Sequence, residues 1–150
     1  MMILGVFSHP GFLGGIISYM IAQTAKGVGD AIRGEKIGWD LIYKTGGMPS
    51  SHSAFVTSIA TGIYLLEGVS STFVLALAFA IITMVDAFGL RQNVGHQAKL
   101  LNILAKELKA TLTKKHKNVK LVRELAGHSG VQVVVGALLG IIVTMFVASF

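Results

Sequence analysis

Pro49-Ser50-Ser51-His52 stands directly in front of an apolar run, and a second histidine, His128, stands in front of another. Imidazoles act as nucleophiles or as general acids and bases near neutral pH. A serine before an apolar run is a helix N-cap, and Ser50 or Ser51 can fill that place. The helix start it caps presents unpaired N–H groups and a partial positive charge, which attract anions, phosphate above all. Gly46 and Gly47 let the backbone approach a ligand closely. Lys44 and Arg91 add fixed positive charge, and Asp86 is an ionisable group inside an apolar stretch. Such groups are costly in a membrane and read by default as functional. Together these residues outline a pocket for an anionic headgroup or a phosphate ester.

The elements that must position them are legible in the composition. The 150 residues are 53% hydrophobic and 13% charged, whereas soluble domains carry about a quarter charged residues. A membrane protein of one domain, residues 1–150, is expected. The absence of cysteine excludes disulfides and thiolate metal sites. All 13 Lys and Arg residues fall in two blocks, Lys26 to Lys44 and Arg91 to Arg123. Between them lie four apolar segments, Ile3–Ala25, Ser53–Leu66, Thr72–Leu90 and Val131–Phe150, against the roughly 20 residues a helix needs to cross a bilayer. The first lacks the basic start and small-residue cleavage pattern of a removable signal, so it reads as a retained helix. The positive-inside rule puts both basic blocks in the cytosol and both termini outside.

Leu100, Leu101, Leu104, Leu108 and Leu112 recur at threes and fours, predicting an amphipathic helix over Ala98–Leu112 that lies on an anionic leaflet or serves as a solvated basic face. Thr113–Lys120, with His116, reads as a turn. The expected fold is therefore all-α, an integral membrane four-helix bundle with a cytosolic amphipathic helix between the third and fourth spans. On this topology "KTGGMPSSHSA", "VDAFGLRQNVGHQA" and "ELAGHSGVQ" converge on one face of the membrane. His96, Gln23 and Lys26 could reach the same face but read as bystanders. His9, at the opposite face, reads as uninvolved. Gly136 and Gly140 form a small-xxx-small pattern for helix packing.

"GGMPSSHSA", "VDAFGLRQNVGHQA" and "ELAGHSGVQVVVGALLG" resemble, in order and over most of the chain, the divergent branch of the type-2 phosphatidic acid phosphatase family, a group of small integral membrane proteins. The parent superfamily uses a phosphate-binding Lys and Arg, a Pro-Ser-Gly-His motif whose His protonates the leaving group, and an Arg followed by a nucleophilic His and an Asp. The resemblance implies that His52 is the general acid, that His128 is the nucleophile of a phosphohistidine intermediate, and that hydrolysis needs no metal or other cofactor. It departs from the pattern at four places. Ser51 replaces Gly, Gln132 stands where the carboxylate that orients the nucleophile should lie, the first motif's Arg-Pro is absent, and Arg123 precedes His128 by five positions instead of six and lacks the preceding Ser. Asp86 or Glu124 is left as a substitute carboxylate, Lys44 as a partial equivalent of the first-motif lysine, and Arg91 or Arg123 as a phosphate ligand.

The expected activity is a membrane phosphatase acting on a lipid or isoprenoid phosphate at the cytosolic leaflet. Its catalytic residues are His52, His128 and Asp86, and its substrate ligands Lys44, Ser50, Ser51, Arg91 and Gln132. The alternative is a non-catalytic binder or carrier of phospholipid or polyprenyl phosphate that keeps the anion pocket, or a membrane module that recruits a partner through its basic loop. No metal-ligand spacing is present, and nucleic-acid binding is not expected, because the basic residues flank apolar spans. A homodimer burying small-residue faces is expected, since four helices make a thin bundle.

Overall fold

Pro10 decides where the first long helix begins. Proline has no N–H to continue a preceding helix and its fixed φ suits the first helical position. Accordingly α1, Met2–Phe7, stops short of it, and α2, Pro10–Ile32, starts on it. His9 caps α2, its Nδ1 accepting from the Gly11 N–H at 3.1 Å. The structure, a computed structural model, describes residues 2–34, 38, 47–111 and 128–150. Its other helices are α3, Ser51–Glu67; α4, Ser71–Phe88; α5, Leu90–Thr111; and α6, Gly130–Val147. Every regular element among the described residues is an α-helix.

α3 and α4, which carry the second and third apolar segments, form a hairpin. Gly68 ends α3 with φ +66°, a conformation that favours glycine. Ser70 then caps α4 by accepting from the Phe73 N–H at 3.1 Å.

α3 is the hub, packed against α2, α6 and α4. Its interfaces are made of small residues, and the helices touch backbone to backbone. A Cβ on Gly136 would overlap the Ser50 backbone, and one on Gly140 would overlap Ala54 and Thr57. Hydroxyls then bridge the helices, as suits a low-dielectric interior where dispersion and hydrogen bonds replace the hydrophobic effect. Thr57 Oγ1 donates to the Ala137 carbonyl at 3.0 Å, Ser58 Oγ lies 3.1 Å from the Gly140 carbonyl, and Ser18 and Ser58 hydroxyls meet at 3.0 Å.

The surface is the reverse of a soluble protein's. The interior holds Ala22, Ala54, Ser18, Ser53 and Thr144, while Leu75, Phe79, Ile82, Val131, Ile142 and Phe146 on α4 and α6 are mostly exposed. So continuous an apolar exterior belongs in hydrocarbon. Among the described residues two stretches, one beginning with α4 and the other with α6, are long and apolar enough to cross a bilayer alone.

Two expectations change in detail. The span expected over Ile3–Ala25 is broken ahead of Pro10, and its second half runs on to Ile32 because Lys26 and Asp30 turn inward, 4% and 5% exposed, instead of ending the helix in water. The helix expected over Ala98–Leu112 starts at Leu90. Gly89 only interrupts the chain, its N–H donating to the Val85 carbonyl at 2.7 Å before α5 resumes. Gly136 and Gly140 serve helix packing, as their spacing suggested, with the start of α3 seated against them within the chain. The segment Thr113–Lys120 lies outside the described residues.

Candidate functional site

α3 and α6 begin side by side, because the Ser50 N–H donates to the Gln132 carbonyl at 3.0 Å and Gly136 admits the Ser50 backbone. Two helix N-termini, each with a partial positive charge, therefore face the same region. The end of α4 joins them through the His128 N–H, which donates to the Ala87 carbonyl at 3.2 Å.

Each helix start is built from its own sequence. Ser50 is fully buried and caps α3, its Oγ accepting from the Ser53 N–H at 3.3 Å and the Ser53 hydroxyl at 2.9 Å. Its hydroxyl thus has a capping task, whereas Ser51, also fully buried, turns its hydroxyl toward Lys26. α6 opens on a capping box: Ser129 Oγ accepts from the Gln132 N–H, and Gln132 Oε1 accepts from the Ser129 N–H at 3.0 Å.

That second bond settles the chemistry of His128. A backbone N–H can only donate, so the Gln132 atom facing it is the carbonyl oxygen. The same oxygen lies 3.3 Å from His128 Nδ1, which must therefore carry a proton and donate it. In the neutral ring the lone pair then sits on Nε2. His128 is 1% exposed, and Nε2 is buried with no hydrogen-bond partner among the described residues. Burial holds the imidazole below its ordinary value of 6.5, and the charges of Lys26 and His52 push the same way. The Gln132 side chain and the Gly47 backbone act in the opposite direction without reversing the shift. The result is an imidazole whose charged form is disfavoured and whose Nε2 is desolvated, close enough to Lys26 and His52 to feel their charges.

Lys26, which the sequence reading set aside, supplies the charge. It is 4% exposed, and its Nζ donates to Ser51 Oγ at 3.1 Å. Gly47 lies against its stem, in a backbone conformation, φ +79°, that favours glycine. The detectable signal was spacing. Ser18, Ala22, Lys26 and Asp30 recur every four residues on one buried face of α2. Arg33 lies seven residues beyond Lys26 and pairs with Asp30 at 2.6 Å.

His52 is half-buried on the first turn of α3, its ring edge-on to Tyr19 with centroids 6.4 Å apart. It borders a groove of about 760 Å³ between α2, α3 and α4, lined by Ile16, Tyr19, Met20, Phe55, Val56, Phe79, Ile82, Thr83 and Asp86. Asp86 thus shares the groove with His52. The charges that perturb His128 are those of Lys26 and His52, so among the described residues the orienting partner of His128 is the Gln132 amide. His96 is exposed on α5. Lys44, Arg123 and Glu124 lie outside the described residues, as does the Arg91 side chain. No group of three metal-ligating side chains occurs among the described residues.

Comparison with known proteins agrees with this architecture. A family model described as "Divergent PAP2 family" matches residues 7–143. The chain is 40% identical over 150 residues to the uncharacterized membrane protein YuiD of Bacillus subtilis (strain 168), covering 92% of this chain and 93% of that one. No solved structure matches it.

Proposed function

Because this chain belongs to the divergent PAP2 family, we propose that it is a membrane phosphatase that hydrolyses a lipid or isoprenoid phosphate at the cytosolic leaflet. Orientation follows from charge: with both basic blocks in the cytosol, the starts of α3 and α6 lie at the inner surface and both termini outside. A phosphate bound there meets Lys26, the Ser51 hydroxyl and two helix N-termini, which offset its charge where little water competes.

The reaction follows from the two imidazoles. His128 Nε2 puts its lone pair on phosphorus, forming a P–N bond as the P–O bond to the alcohol breaks. His52 gives its proton to the departing alkoxide, so a neutral alcohol leaves. Water then attacks the phosphohistidine, His52 takes one of its protons, and the P–N bond breaks to return neutral His128 and release inorganic phosphate. Gln132 holds the Nδ1 proton throughout. Because an amide cannot neutralise an imidazolium by charge, attack is slower here than with a carboxylate.

The observation that carries this reading is the Nε2 of His128, buried and unpaired among the described residues, within electrostatic reach of Lys26 and His52. A structural capping histidine needs only Nδ1 or its backbone. Phosphate release by purified protein from alkyl and isoprenyl phosphates, compared with His52→Ala and His128→Ala, tests it; release unchanged by both substitutions refutes the mechanism. The amide at Gln132 favours a second reading, a non-catalytic carrier of such lipids. It is identified by phospholipid binding that needs Lys26 in a protein that releases no phosphate. A homodimer remains part of the proposal, through faces other than those of Gly136 and Gly140.

A further inference from the structure

We infer that the groove between α2, α3 and α4 seats the hydrocarbon chain of the leaving alcohol, entered sideways from the bilayer. The inference rests on the phosphatase reading and adds where the substrate's chain lies and what sets its preference.

His52 borders both the buried polar cluster and the groove. Lys26, Ser51 and His128 are all at least nine-tenths buried, and none of them lines the groove, whereas His52 and Asp86 do. In phosphoryl transfer the attacking and leaving atoms sit roughly in line on opposite faces of phosphorus. With His128 attacking and His52 protonating, the leaving oxygen lies against His52, and whatever is attached to it continues into the groove.

The groove suits a hydrocarbon chain and little else. Its walls are Ile16 and Met20 from α2 and Phe79 and Ile82 from α4, with His52 and Asp86 at one end. Phe79 and Asp86 are seven residues apart, so the apolar wall along α4 runs about 10 Å from the polar end. Its volume, about 760 Å³, falls in the usual range for small-ligand sites. Met20, Phe79 and Ile82 are 59%, 65% and 67% exposed, which in a bilayer means that the groove opens to the hydrocarbon. A chain already in the membrane slides in without crossing water, and its phosphate arrives at the end that carries His52.

Soluble monoalkyl phosphates from ethyl to octyl provide the test, because they do not require partitioning into micelles. kcat/KM should rise with chain length, by about two- to fourfold per added methylene while the groove fills. Ile82→Trp should flatten that slope but retain activity on ethyl phosphate, whereas Leu75→Trp, on the exposed face of α4 outside the groove, should leave the slope intact. A flat slope in the wild type, with ethyl phosphate hydrolysed as well as octyl, overturns the inference while the phosphatase reading stands. Should no alkyl phosphate be hydrolysed, a dodecyl phosphate carrying a terminal diazirine reads the groove directly. Crosslinks at Phe79 or Ile82, displaced by dodecyl phosphate and not by phosphatidylcholine vesicles, support the seat even as the hydrolytic reading fails. Crosslinks spread over the α4 and α6 exteriors, or displaced equally by phosphatidylcholine, mean ordinary bilayer lipid only and overturn it.

Discussion

Gln132→Glu isolates the side-chain contact that orients His128. The substitution keeps the α6 start intact, because a capping box works with Glu as well as Gln and the carboxylate still accepts from the Ser129 N–H. What changes is the atom 3.3 Å from His128 Nδ1, which becomes part of an anion. An opposite charge at such range favours a charged group by roughly one to three pKa units, about 1.4–4 kcal/mol. His128 is 1% exposed, so water screens little of this. In the wild type, burial and the charges of Lys26 and His52 keep His128 below 6.5, so the acid limb of the rate set by its neutral form falls below that value. In Gln132→Glu the limb should move up by about one to three pH units. At high pH the rate should equal or exceed the wild type's, because the carboxylate stabilises the cation that forms as Nε2 attacks. The assay is the pH profile of phosphate release from octyl phosphate, with the His128 titration followed by NMR. An acid limb that stays in place, or a uniform loss of activity at every pH, refutes the claim that Gln132 controls His128.

Four further perturbations separate charge, cap, packing and protonation. Lys26→Gln should raise KM or the dissociation constant for alkyl phosphates by about tenfold or more, the weight of a charge-assisted contact of roughly 1.5–3 kcal/mol; titration calorimetry with a non-hydrolysable phosphonate reads it. Ser50→Ala removes an N-cap and should lower stability by about 1 kcal/mol in detergent unfolding, with kcat little changed in the folded fraction. Gly136→Ala drives a methyl into the Ser50 backbone and should destabilise by roughly 1–3 kcal/mol, lowering the melting temperature and activity together. Stability should also fall as pH drops below 6.5. The unfolded chain protonates His128 at its ordinary value while the folded site resists until lower pH, so the contribution is present above 6.5 and is lost on acidification. Melting curves at several pH values, compared with His128→Asn, measure that loss.

How much of this was readable beforehand depended on whether a residue's job shows in its neighbours along the chain. The helix starts at His52 and His128 were legible because Ser50 and Ser129 precede apolar runs, and capping is local. The α3–α4 hairpin was legible for the same reason, with Gly68 and Ser70 between two greasy stretches. Lys26 was not, because hydropathy treats a lysine at the end of an apolar run as the point where the helix leaves the membrane. Its inward turn shows only in the Ser18, Ala22, Lys26, Asp30 stripe, which takes its meaning from packing against α3. The same lapse put the end of the first span at Ala25 instead of Ile32. Gln132 was read as a missing carboxylate; that its carbonyl fixes the Nδ1 proton depends on the Ser129 N–H lying on the same oxygen. Asp86 was recognisable as an ionisable group in an apolar stretch, whereas the groove it shares with His52 shows only in the fold.

The central claim, that His128 Nε2 is the atom that takes the phosphoryl group, is tested most directly by trapping it. His52→Asn removes the acid needed for a poor leaving group and the base needed for the second step, so an activated aryl phosphate should phosphorylate this variant and stall it. Mass spectrometry after an alkaline quench should then find one phosphoryl group on the peptide containing His128, absent from His52→Asn/His128→Asn. A phosphoryl group on any other residue, or none while aryl alcohol is released, contradicts the account.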